Sequence, residues 1–75
     1  MEMKKDFKKM GFREAFIECI KGNRIKRITW MNNSYICLRW GKFRIFTASG
    51  HEEINLNDFT DPEEFWEIYT GKTYE

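Results

Sequence analysis

Between Phe12 and Lys21 the apolar residues Phe12, Ala15, Phe16, Cys19 and Ile20 recur at i, i+3, i+4, i+7 and i+8. That spacing gathers side chains into one stripe along an α-helix. Arg13, Glu14, Glu18 and Lys21 fall off the stripe, and Gly22 follows as the residue that takes a left-handed C-cap conformation without steric cost. A helix with one apolar stripe has to bury it against another layer. Everything after Gly22 is strand-like, so the stripe commits the chain to a helix laid on a sheet.

Three strand-like runs follow. Arg24–Trp30 is rich in β-branched residues. Ser34–Trp40 alternates Ile36, Leu38 and Trp40 with Tyr35, Cys37 and Arg39, apolar on both faces with one charge. Gly41–Lys42, with glycine first, suits a two-residue type II′ hairpin leading into Phe43–Ala48. Ser49–Gly50–His51 has the composition of a turn, and Glu52–Leu56 that of a short, weak strand. Asn57–Glu64 is expected to hold a short helical turn capped by Thr60 or Asp61, with Pro62 first and Glu63–Glu64 at the positive end of its dipole. Phe65–Tyr69 alternates again and is expected to close the sheet. The predicted class is α+β: an N-terminal helix packed on a small, mainly antiparallel sheet, with a short C-terminal helical turn and a last strand. Residues 1–11, rich in lysine and without a clean apolar period, are expected to form a basic N-terminal extension, and 12–75 a single domain.

At 75 residues one core supplies roughly 3–5 kcal/mol, and domains of this size commonly lean on disulfides, metal or oligomerisation. Cys19 and Cys37 sit among apolar neighbours, which marks them as reduced core thiols rather than a secreted disulfide framework. One histidine is too few for the usual four-ligand Cys/His zinc site within one chain. Neither metal nor cofactor is expected, and oligomerisation is the help that remains. No secretory signal or membrane-spanning stretch is legible, because Arg13, Glu14 and Glu18 break Gly11–Ile20. A cytoplasmic protein is expected, in the host cytoplasm if phage-encoded.

The net charge of +1 conceals a split: residues 1–44 hold twelve Lys/Arg against four Asp/Glu, and residues 45–75 hold one Lys against eight Asp/Glu. Such halves can neutralise one another, or offer a basic face to a phosphate-bearing ligand. A duplex-binding domain would be more basic overall, which sets nucleic acid aside as a partner.

Catalytic patterns are missing. His51 lies in a turn beside Glu52 and Glu53 without the spacing of a metal-binding helix. The adjacent carboxylates Glu52/Glu53 and Glu63/Glu64 would point to opposite faces of a strand. No phosphate loop or nucleophile elbow is present. No catalytic residue and no enzymatic activity are expected. Binding chemistry is better represented. Arg24, Lys26, Arg27 and Trp30 bring guanidinium forks, an ammonium and an indole together, the groups that grip phosphate and stack on a base. The expected ligand site comprises Arg27 on phosphate and Trp30 on a base, with polar contacts from Asn32, Asn33 and Tyr35. Arg27 and Trp30, three apart, would face opposite ways in a regular strand, so such a site needs a bulge or two protomers.

Residues Phe12–Trp30 resemble the opening of the second Thoeris anti-defence family, whose members begin Phe-x-Glu-Ala, run through a helix to Lys-Gly-Lys, and continue into a Val-x-Arg strand and a tryptophan. The likeness covers about residues 12–40 and, more loosely, 57–69, where Asp58–Phe59 and Trp66–Glu67–Ile68 resemble the family's closing helix and strand. Phe65 stands where the family carries Asp, and Pro62–Glu64 is extra. The resemblance implies a compact α+β protomer in a homotetramer or dimer that sequesters cyclic ADP-ribose-type or cyclic nucleotide signals between protomers, without cleaving them. An alternative is a small inhibitor that blocks a bacterial immune effector, such as a CRISPR nuclease, by direct protein–protein binding through its acidic half.

The small core and opposed charges predict self-association. Light scattering at micromolar concentration should return a multiple of the 9.2 kDa chain; a stable monomer would contradict the expectation.

Overall fold

A computed structural model describes residues 10–75. The elements are α1 (Phe12–Ile20), β1 (Ile25–Arg27), β2 (Tyr35–Arg39), β3 (Lys42–Thr47), β4 (Gly50–Glu53), a 3-10 turn (Leu56–Phe59) and β5 (Trp66–Ile68). The strands form one antiparallel sheet in the order β4-β3-β2-β1-β5. Strands β1 to β4 form a meander, and β5 returns to the free side of β1. Among the described residues no helix is long and apolar enough to cross a membrane. The basic extension expected over 1–11 lies outside the described residues except for Met10 and Gly11. Met10 is buried and exchanges two backbone hydrogen bonds with Trp66, of 3.2 and 2.8 Å.

Helix α1 lies on one face of the sheet, burying Ala15, Phe16 and Cys19 beneath it. Ile20, assigned by its spacing to the stripe, is instead 64% exposed. At about 100° per residue it lies some 80° around from Phe12, at the stripe's edge, where the sheet no longer reaches. Lys21 caps the helix and Gly22 turns the chain with φ 105°. The core combines Met10, Ala15, Phe16, Cys19, Ile25, Ile36 and Trp66, with Phe12, Trp30, Phe43, Ile45, Ile54 and Phe59 packed at its rim. The Phe16 ring meets Phe43 edge-on at 5.1 Å and Trp66 at 5.5 Å.

Four local expectations need correction. The run Arg24–Trp30 is strand only over Ile25–Arg27; a turn follows, closed by the Trp30 N–H on the Arg27 carbonyl at 3.0 Å. The hairpin loop is Trp40–Gly41 rather than Gly41–Lys42, because Lys42 already pairs with Arg39. Both loop residues have positive φ, 54° and 77°, the type I′ arrangement whose twist matches that of the flanking strands. The next turn falls at Ala48–Ser49, so Gly50 and His51 belong to β4 rather than to a turn, and the strand expected over Glu52–Leu56 starts and ends earlier. The helical turn lies upstream of its expected caps, since the Asn55 side chain accepts from the Asn57 N–H at 3.0 Å. Asp61 caps only a tight turn, its carboxylate accepting from the Glu63 N–H at 2.9 Å.

Strand β2 is buried on both faces. Ile36 points toward the helix, while Tyr35 and Cys37 are covered by the C-terminal segment. The sheet is therefore sandwiched between a helix and a tail.

Phe16→Ala removes the ring that joins α1 to Phe43 and Trp66. It should cost about 3–5 kcal/mol, most of the stability of so small a domain. Urea unfolding checks this; a midpoint close to the parent's would mean that the stripe is not what holds the helix.

Candidate functional site

On the helix-facing side, Arg27 ends β1 with its guanidinium 5.1 Å from the Phe59 ring centroid and 5.4 Å from that of Trp66. Its Nη2 approaches the Asp58 carbonyl at 3.5 Å. Arg27 Nε and Trp66 Nε1 are buried without a hydrogen-bond partner among the described residues. Trp30 is half-buried and meets Trp66 edge-on at 5.7 Å, and its carbonyl accepts from Lys26 Nζ at 3.0 Å. The turn after Arg27 resolves the facing problem posed by the spacing: the strand stops, the chain reverses, and both side chains reach one indole. Asn32 and Asn33 are exposed, and the Asn32 side chain accepts from the Ser34 N–H at 3.3 Å. Tyr35 points the other way. Of the five expected site residues, the fold unites Arg27 and Trp30 and places Tyr35 across the sheet from them.

The opposite face holds the better-built constellation. Cross-strand partners share a face, and the pairs Tyr35–Phe46, Cys37–Arg44 and Arg39–Lys42 put aromatic and cationic groups side by side. The fully buried Tyr35 ring stacks on Tyr69 at 4.7 Å and 23°, and on Phe46 at 5.4 Å and 11°. The Tyr74 ring lies nearly parallel to it at 6.1 Å and 6°. Arg24 sits over the same ring at 5.7 Å.

These groups converge on one carboxylate. Arg24 Nε donates to Glu75 Oε2 at 2.6 Å, the Tyr35 hydroxyl donates to the same oxygen at 2.8 Å, and Arg39 Nη2 pairs with Oε1. The Cys37 thiol points at Oε2 from 3.8 Å. The Glu75 side chain is only 8% exposed, a depth at which a carboxylate requires this many donors. Two guanidinium groups face a single negative charge. The other cations of this face pair one to one, Lys26 with Glu67 at 3.2 Å and Lys42 with Glu53 at 3.5 Å. The seat therefore carries more positive charge than its occupant neutralises.

Beyond it, the row continues to the hairpin tip. Trp40 is 66% exposed in the left-handed region, which costs a bulky residue about 1–3 kcal/mol. Its indole lies 5.3 Å from His51, and the Arg44 guanidinium lies 5.3 Å over it. His51 packs on Phe46 at 5.0 Å and accepts from Arg44 Nε at 3.2 Å. Among the described residues no group of three His, Cys, Asp or Glu side chains is placed to hold a metal.

No family model, curated protein or solved structure matches the chain. The likeness to the second Thoeris anti-defence family rests on the quoted residues alone, and function has to be argued from the face just described.

Half of that face is visible in the sequence: Tyr35, Cys37 and Arg39 alternate along β2 and must share a side. Arg24 and Glu75 are missed, because 51 residues separate them and no local pattern links their positions.

Both thiols are free and buried. Burial pushes Cys19 up to about 12. Burial also raises Cys37, outweighing the lowering by Arg39 and Arg24. Thiolate is the reactive form, so the folded protein should resist iodoacetamide at pH 8.5 and take two labels once unfolded in urea. Mass spectrometry counts the labels, and rapid native labelling of Cys37 would show that its environment favours the anion.

Proposed function

We propose that the chain is a non-catalytic binding protein for a ligand that joins an anionic phosphoryl group to an aromatic base, and that it holds this ligand intact. The observation that carries the reading is the convergence of Arg24, Arg39 and the Tyr35 hydroxyl on one anion, on a face paved with aromatic rings. Guanidinium forks match phosphate oxygens bidentately. A base finds stacking surfaces beside them in Tyr35, Tyr69 and the exposed Trp40.

Cyclic nucleotides and cyclic ADP-ribose-type signals belong to this ligand class, and sequestration of such a signal is the biological role the resemblance implies. A buried, protonated Cys37 thiol is a poor nucleophile toward a phosphoryl group, which supports binding without turnover. Ile17 and Ile20, exposed on α1, support an assembled form in which an apolar helix face is covered by another protomer.

A thermal-shift panel of adenosine monophosphate, cyclic AMP and ADP-ribose, with adenosine as the phosphate-free control, tests the reading. The phosphorylated compounds should raise the melting temperature and adenosine should not. Arg24→Ala should abolish the shift, since a charge-assisted hydrogen bond is worth about 1.5–3 kcal/mol, or roughly ten- to a hundredfold in affinity. Chromatography of the released ligand should return it unchanged. Cleaved ligand, or equal shifts with adenosine, would overturn the proposal.

A further inference from the structure

We infer that Tyr74 and Glu75 act as a tethered imitation of the ligand, the Tyr74 ring standing in for the base and the Glu75 carboxylate for the phosphoryl group, so that binding requires the tail to leave its seat. The inference rests on the reading above and adds the regulation of that site and the shape of what it accepts.

An aromatic ring and an anion on consecutive residues both engage Tyr35. The Tyr74 ring runs parallel to the Tyr35 ring, the Tyr74 N–H donates to the Tyr35 hydroxyl at 2.9 Å, and that hydroxyl donates on to Glu75. Lys72 contributes an ammonium 5.9 Å from the Tyr74 ring. The tail belongs to no helix or strand, so it can leave without unpairing the sheet. Its path is constrained at one point. A Cβ added at Gly71 would lie 2.8 Å from the Tyr69 hydroxyl oxygen and 2.9 Å from Tyr69 Cζ, so only glycine lets the chain cross that ring on its way to the seat. The charge mismatch supplies the driving force for exchange. One carboxylate leaves Arg24 and Arg39 under-neutralised, whereas a phosphate dianion matches both.

A ligand that must displace an internal occupant binds more weakly by the fraction of time the seat is free; a tail seated roughly nine-tenths of the time weakens apparent affinity about tenfold. Glu75→Gln removes the competing charge and leaves both arginines in place. Gly71→Ala disturbs the tail's path without touching the seat. Glu63→Gln, in the Asp61–Glu64 turn, controls for the change in net charge.

Calorimetry with adenosine monophosphate and with inorganic phosphate, on the parent chain and these variants, decides the matter. The expected result is about tenfold tighter binding of both probes by Glu75→Gln, tightening in the same direction by Gly71→Ala, and no change in Glu63→Gln. Equal affinity for adenosine monophosphate in the parent and Glu75→Gln would overturn the inference while leaving the nucleotide reading intact. Tightening for phosphate, with adenosine monophosphate binding no better than phosphate, would keep the seat and its competitor but remove the base from the ligand. Failure of every protein to bind either probe would overturn both.

Discussion

The indole of Trp66 is where the separate parts of the molecule meet. It is fully buried, and its ring touches Phe16 of α1, Trp30 after β1 and Phe59 of the 3-10 turn, at centroid distances of 5.5, 5.7 and 6.0 Å. The Arg27 guanidinium covers it from β1, and its backbone closes a two-bond bridge to Met10. Side chains from five places along the chain thus share one hydrophobic surface. Aromatic residues contribute most of the buried area in a core of this size. Removing that surface would loosen the helix, the short β1 strand and the 3-10 turn together. The length of β5, three residues, matters less than the side chain it delivers.

With the helix committed to that face, the sheet still has to cover its other side, and no second helix is present among the described residues. The solution is a layer of stacked tyrosines and Phe46, roofed by the segment that ends at Glu75. Because that roof is polar chain rather than an apolar helix, it brings charge to the rings. Arg24 and Arg39 gather around one carboxylate at low exposure, where electrostatic interactions are stronger than in bulk water. The anion seat is in this sense a by-product of covering a two-sided sheet with a tail.

Where sequence patterns and folded structure part company, the reasons are specific. Gly41 was assigned the first position of its turn, yet Trp40 takes that place, because the Arg39–Lys42 pairing sets the hairpin register and the left-handed strain falls on a tryptophan. Thr60 and Asp61 have good capping chemistry, but Asn55 is the residue that caps, since packing Phe59 against Trp66 draws the turn upstream. Trp30 looked like an exposed loop-edge ring, and the turn after Arg27 folds it onto the core instead.

By itself the sequence determined the helix, the strand-rich remainder and the antiparallel α+β class, because periods of 3.6 and 2 are local properties of a chain that must bury apolar side chains. It also determined that Tyr35, Cys37 and Arg39 share one side of a strand. Only the tertiary structure decided that Arg24, Arg39, Tyr35 and Glu75 form one cluster, that Arg27 and Trp30 converge on Trp66, and that Tyr35 faces away from them. These depend on strand order, turn register and the path of the tail. Such features are set by packing between residues far apart in sequence, and no local periodicity encodes them.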